Sequence, residues 1–200
     1  MIDDFESPLL KWYYDGNIGG AVVVDTTDAY TDSGALKLTS PAGVGKIGSC
    51  LRTIPFPETY LVGFECAFCM PTGFSGSVVF ELDWFDSASI QYAQLRYDKA
   101  FNQWYYLNTA GAYIAIPNGA QDLSCWPNHW NRIKFVANFG ARTYKHAISQ
   151  EIFMDLRNFA LRRAGIVTTS MIVVRLAVFN NAAGDACSVW FDNVVVTEET

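Results

Sequence analysis

The sequence predicts an all-β fold, an antiparallel two-sheet β-sandwich with at most one short helix, on three observations. Short apolar or alternating runs follow one another along the chain, Gly, Pro, Asn and Asp punctuation separates them, and no regular alternation with helices intervenes. Period-two alternation buries one face of a strand and leaves the other to water, as antiparallel sheets allow. Turn residues supply the backbone conformations at which a strand must stop.

The elements follow in order. "AVVVD" (21–25) and "ALKLT" (35–39) flank the turn "TDSG" (31–34), and "SPAGVG" (40–45) follows. Next come "LVGFECAFCM" (61–70), "SVVFELDWF" (77–85), "IQYAQLRY" (90–97), "QWYYL" (103–107) and "AYIAI" (112–116), with "PTGFSG", "YDKAFN" and "IPNGAQ" as turns. "WNRIKFVANF" (130–139) alternates most clearly: Ile133, Phe135, Ala137 and Phe139 on one face, Arg132, Lys134 and Asn138 on the other. "SMIVVRLAVF" (170–179) and "SVWFDNVVV" (188–196) close the series around "NNAAGD". One segment dissents. In "EIFMDLRNFALRRAG" (151–165) Phe153, Leu156, Phe159 and Arg163 have helical spacing before a glycine stop, which predicts a short helix or turn; a hairpin arm followed by a loop is the alternative. No repeat, low-complexity tract or linker interrupts the chain, so a single domain over residues 1–200 is expected.

Half the residues are hydrophobic, 15% are aromatic and only 17% are charged, against about 25% charged in typical domains. The surface therefore draws its polarity from amides, hydroxyls and rings. A net charge of −6 with no basic run argues against a nucleic-acid partner and against an anionic membrane surface. No apolar stretch reaches the roughly 20 residues of a spanning helix. "MIDDFES" lacks the basic and apolar regions of a signal peptide, so either export by that route does not occur or the chain is trimmed. Five cysteines are an odd set; Cys66 and Cys69 in "ECAFC" fall on opposite strand faces, and buried free thiols are the expected state.

Three groups of residues carry chemistry. The first is Asp192, set among Trp190, Phe191 and three valines. On a regular strand Trp190, Asp192, Val194 and Val196 share a face. If that face is inward, an unpaired carboxylate costs several kcal/mol, to be offset by turn N–H groups or a hard cation; acids facing solvent on paired terminal strands are the alternative. The second is "FELDWFD", where Glu81 and Asp83 share a face about 7 Å apart along the strand. The third is a platform of Tyr92, Gln94 and Arg96 on one strand and Trp104 and Tyr106 on the next. Joined by a hairpin, they would offer rings to the C–H face of a sugar and amide or guanidinium groups to its hydroxyls. Alternatively these rings are ordinary cross-strand pairs, and Trp104 plugs the core.

"DDFES" (3–7), "AYTDSGALKLTS" (29–40) and "WFDNVVVTEE" (190–199) resemble the frame of jelly-roll carbohydrate-binding modules, in which an acidic first strand pairs with a closing "FDNV"-type strand. "RYDKAFNQWYYLN" (96–108) and "HWNRIKFVANFGARTYKHAISQEIFMDL" (129–156) resemble the concanavalin A-like, laminin-G-like group, with a Trp-led strand, a hairpin carrying a Tyr and a short "DL" element. The resemblance implies a jelly roll and a non-catalytic, lectin-like module that takes a polysaccharide or other glycan. It also implies a structural Ca²⁺ between the first and last strands, held by Glu6 or Asp4, Asp32 and Asp192 through oxygen ligands. "FELDWFD" resembles the E-x-D-x-E strand of concanavalin-like glycosidases, whose first Glu is nucleophile and whose last Glu is the acid. This chain departs there: Phe85 stands at the fourth position and Asp86 is one methylene shorter. Glu81 and Asp83 are thus the candidates for a glycan-active hydrolase or lyase, a second alternative to the binding module. A structural or adhesion protein of a virion or cell surface, assembling as a homo-oligomer or larger particle, is the first alternative. An extracellular or virion-surface location is favoured.

Overall fold

The structure, a computed structural model, describes residues 2–3, 12–31, 33–55, 57–117, 124–165, 169–181 and 183–199. Sixteen strands run β1 (Ile2–Asp3), β2 (Tyr13–Tyr14), β3 (Ala21–Asp25), β4 (Ala35–Ser40), β5 (Lys46–Ile54), β6 (Leu61–Cys69), β7 (Ser77–Asp86) and β8 (Ile90–Asp98). They continue β9 (Gln103–Leu107), β10 (Tyr113–Ala115), β11 (Trp130–Asn138), β12 (Thr143–Ser149), β13 (Ile152–Asp155), β14 (Arg162–Ala164), β15 (Ser170–Asn180) and β16 (Cys187–Glu198). No helix occurs among the described residues. Sheet A has the order β13-β12-β11-β6-β16-β4-β3, with β1 also on β16. Sheet B has the order β10-β9-β8-β7-β15-β5-β2, with β14 also on β8. The pairings are antiparallel and the sheets form a β-sandwich.

Alternation explains which side chains meet between the sheets. From β7, Val78, Phe80, Leu82 and Trp84 point into the core; from β11, Ile133, Phe135 and Ala137 do so, followed by Phe139. Trp84 stacks on Phe139 with ring centroids 4.9 Å apart, and Phe80 meets both Phe64 and Phe68 across the sandwich. Each such buried side chain contributes about 1.5–3 kcal/mol, so the inner faces supply the stability and the outer faces are free to carry other chemistry.

Three local results depart from the sequence reading. The first is the helix or turn expected in 151–165, which is β13 and β14. Met154 and Leu156 are buried while Phe153 is 57% exposed, a period of two. Gln150 and Glu151, at φ of 50° and 69°, make the tight reversal that pairs β13 with β12. The second is β5, which has no counterpart among the expected runs. Gly48, Ser49, Arg52 and Thr53 break its apolar pattern, yet a Cβ at Gly48 would stand 2.6 Å from the Thr39 carbonyl oxygen, so packing demands the glycine. The third is β16. Its pairing with β6 shifts register between Asp192 and Val195, with Asn193 at φ 48°, so Val194 and Val196 turn inward while Asp192 does not share their face. The chain start lies beside this bulge, with Ile2 opposite Val195 and Asp3 opposite Val194.

Candidate functional site

The outer face of sheet B carries a polar groove of about 340 Å³, lined by Asp15, Asn17, Ser49, Glu81, Gln94, Tyr113 and Arg175 among others. Register sets its floor. Gln94 lies opposite Glu81, Glu81 opposite Arg175, and Arg175 opposite Leu51, so four strands place one side chain each in a row. A second row runs Arg162, Tyr92, Asp83 and Val173. The segment after β2 borders the floor, since Asp15 and Asn17 N–H groups donate to the Ser49 and Ile47 carbonyls.

Of the expected platform, Tyr92, Gln94 and Arg96 face this groove side and Trp104 and Tyr106 do not. The turn after Asp98 is four residues long and pairs Asp98 with Gln103, so Trp104 falls opposite Tyr97 and Tyr106 opposite Leu95. Both therefore take the inner face. Trp104 is fully buried among Phe68, Phe80 and Tyr97, and Tyr106 stacks on Phe159 at 4.2 Å. Tyr105, opposite Arg96, occupies the position expected for Trp104. Tyr113 completes the wall: its hydroxyl donates to Gln94 Oε1 at 2.9 Å, and Arg96 lies 5.3 Å from its ring. Burial, and then the Glu81 charge, raise the Tyr113 hydroxyl above the usual tyrosine range, so it stays a donor. Gln94 is also held from behind. Its backbone N–H donates to the Tyr144 hydroxyl, which has the Gln94 and Leu107 carbonyls at 3.1 and 3.2 Å as acceptors. Tyr144 thus fills the gap on the β8 edge between β9 and β14.

Glu81 in the floor and Asp83 in the row beside it are buried, only 4% and 3% exposed. Arg175 Nη1 is 3.6 Å from Glu81 Oε1 and Nη2 is 3.4 Å from Asp15 Oδ2. Burial first, and the neighbouring Glu81 charge second, push the Asp83 carboxyl well above the ordinary carboxylate range. Ser49 Oγ, Glu81 Oε1, Asp83 Oδ1 and Arg175 Nε are buried and have no hydrogen-bond partner among the described residues. A lone charge inside the apolar run of β15 is the signal that would have flagged Arg175; Asp15, Tyr105 and Tyr113 left no comparable mark, because register alone brings them to the groove.

Of the expected calcium set, the structure describes Asp192. Asp4, Glu6 and Asp32 lie outside the described residues. Asp192 is fully buried, and its Oδ2 accepts the Tyr30 and Thr31 N–H groups at 2.9 and 3.1 Å while Oδ1 accepts its neighbour Asn193 N–H at 2.7 Å. Turn N–H groups are therefore what compensates this carboxylate among the described residues. No cluster of three or more His, Cys, Asp or Glu side chains able to hold a metal is found among them either. All five cysteines are free; Cys66 packs in the core, and burial raises both its thiol and that of Cys69, the latter to about 11.

No protein-family model matches the chain, and no curated protein does. Solved structures do. Endo-β-1,4-glucuronan lyase from the fungus Trichoderma reesei is similar over 100% of this chain and 95% of its own, at 14% identity and a TM-score of 0.65. The cellulose-induced protein Cip1 is similar over 100% and 97%, at 16% identity and 0.62. The CBM22-2 xylan-binding domain of Paenibacillus barcinonensis Xyn10C is similar over 100% and 99%, at 11% identity and 0.52. At such identities the likeness is one of fold, and that fold is the jelly-roll β-sandwich of carbohydrate-binding modules and polysaccharide lyases.

Proposed function

We propose that the chain is a non-catalytic polysaccharide-binding module whose ligand lies in the sheet B groove. The observation that carries this reading is the set of buried polar atoms on the floor with no hydrogen-bond partner among the described residues, Ser49 Oγ, Glu81 Oε1 and Arg175 Nε. Each such atom costs about 1–3 kcal/mol unless something bonds to it. Sugar hydroxyls both donate and accept, so one ligand answers an acceptor carboxylate and a donor guanidinium together. Tyr92, Tyr105 and Tyr113 supply ring faces beside them. Support also comes from the similar folds, one named as a xylan-binding domain and one as a glucuronan lyase.

Hydrolysis is the weaker use of the carboxyl pair. Retaining glycosidases place two carboxyls about 5–5.5 Å apart on either side of the scissile bond. Glu81 and Asp83 project from one strand face and approach a sugar from the same side. Affinity electrophoresis in gels cast with xylan, β-glucan or pectin tests the binding reading. The wild-type chain is retarded in at least one gel, and Tyr113→Ala and Glu81→Ala each weaken retention at least about tenfold, a loss of about 1.4 kcal/mol. Phe101→Ala, an exposed ring away from the groove, leaves retention unchanged. Absence of retardation by every polysaccharide ends the reading; release of reducing ends or unsaturated products replaces it with an enzyme.

A further inference from the structure

We infer that Arg162, in the row beside the groove, is a carboxylate subsite, so that the ligand is a largely neutral polysaccharide carrying a uronic acid at one position of the bound stretch. The inference rests on the groove being the saccharide site. Its starting point is the unequal treatment of three arginines on this face of sheet B. Arg96 Nη2 is 2.6 Å from Asp98 Oδ2, and Arg175 lies between Asp15 and Glu81. Arg162 makes no ion pair with a carboxylate among the described residues.

Arg162 is nevertheless held in place. Its guanidinium lies over the Tyr92 ring, 5.3 Å from the centroid. Close to it is Gly111, in the turn between β9 and β10 at φ +81°, where a Cβ would stand 3.1 Å from Arg162 Cζ. The glycine thus serves twice, as the left-handed turn residue and as the space that the guanidinium fills. A guanidinium held over a ring without a carboxylate partner has N–H groups to offer a ligand carboxylate, which it can take with two parallel bonds. Burial and then the Glu81 charge raise the Asp83 carboxyl in the same row, which disfavours a negative charge beside Arg162.

The rest of the groove restricts where an acid can sit. At its centre two carboxylates, Asp15 and Glu81, oppose the single Arg175. A ligand carboxylate arriving there meets excess negative charge, whereas one arriving at Arg162 meets an uncountered positive charge. The expected ligand is therefore sparsely acidic, not a polymer charged at every residue.

Matched polymers separate these features. A glucuronic acid-substituted xylan and a pectin of continuous galacturonate are each measured beside the same polymer after chemical reduction of its carboxyl groups. By titration calorimetry at low salt, the substituted xylan binds about tenfold more tightly than its reduced form. Arg162→Gln abolishes that ratio, Arg162→Lys restores part of it, and 0.5 M NaCl narrows it by screening. Thermal melts of both variants separate a lost subsite from a lost fold. Continuous galacturonate binds no better than its reduced form. Equal binding of the substituted and reduced xylans, a ratio that survives Arg162→Gln, or a preference for continuous galacturonate overturns the subsite while leaving the groove reading intact. Failure of all four polymers to bind overturns the subsite, and if β-glucan gels do not retard the chain either, the groove reading falls with it.

Discussion

Two buried carboxylates, one in each sheet, are treated in opposite ways. Asp192 in sheet A sits under the loop before β4 and accepts three backbone N–H bonds, two of them from Tyr30 and Thr31. Asp83 in sheet B sits beside Glu81, and its Oδ1 has no hydrogen-bond partner among the described residues. Both are at most 3% exposed, so burial does not distinguish them. What differs is what their lone pairs meet. A carboxylate saturated by N–H groups fixes a loop to a strand; one left unsaturated in a groove is a site waiting for a polar partner. The hollow on the outer face of sheet A makes the same point, because Arg132 there already pairs with Glu65.

The sharpest way to break this comparison is to change each acid to its amide. Asp192→Asn turns one acceptor oxygen into a donor facing N–H groups and costs about 3 kcal/mol in urea denaturation. If Asp192→Asn costs less than about 1 kcal/mol, the loop is held by something else. Next in size is Tyr144→Phe, which leaves the Gln94 N–H without its oxygen inside the sandwich. A loss of about 2 kcal/mol is expected, together with weaker polysaccharide retention, since Gln94 is no longer held from behind. Loss of stability with undiminished retention would separate Tyr144 from the groove.

Asp83→Asn has the opposite sign. As pH rises past the ordinary carboxyl pKa of 3.8, the unfolded chain ionises while folded Asp83 keeps its proton. Wild-type stability therefore falls from that pH up to the raised folded-state pKa, and it is undiminished below 3.8. The amide does not titrate, so the variant matches wild type near pH 3.5 and is the more stable of the two at pH 7. A variant less stable at pH 7 would show that Asp83 is a structural acid like Asp192. The smallest effect is that of EGTA. With three N–H bonds already on Asp192, chelation shifts the melting temperature by less than about 2 °C, and a larger drop places a cation there with Asp4, Glu6 or Asp32.

Much of the sandwich was legible beforehand because alternation is a local property. The runs that became β6, β7, β11 and β15 carry their inner faces in their own sequence, and the hairpin turn after Asp98 was visible in "YDKAFN". β5 was hidden because Gly48 answers to the Thr39 backbone on another strand. The apparent helix in 151–165 arose because residues spaced by three and four also fall on two short strands and the turn between them, here β13 and β14.

The candidate site was half legible for a related reason. Tyr92, Gln94, Arg96, Glu81 and Asp83 could be assigned to shared faces from their own strands. Whether Trp104 or Tyr105 stood beside Arg96 depended on the parity of one turn, and a single-residue change in register exchanges inner and outer faces.

By itself, then, the sequence determined the all-β class, the polar and apolar face of most strands, and the presence of an acid inside the apolar run 188–196, because each follows from neighbours along one strand. Only the tertiary structure decided that Asp192 is answered by a turn about 160 residues away, that Arg175 and Asp15 close over Glu81, and that Arg162 remains without a counter-charge among the described residues. Those outcomes rest on cross-strand register and on desolvation, which arise only when distant segments pack.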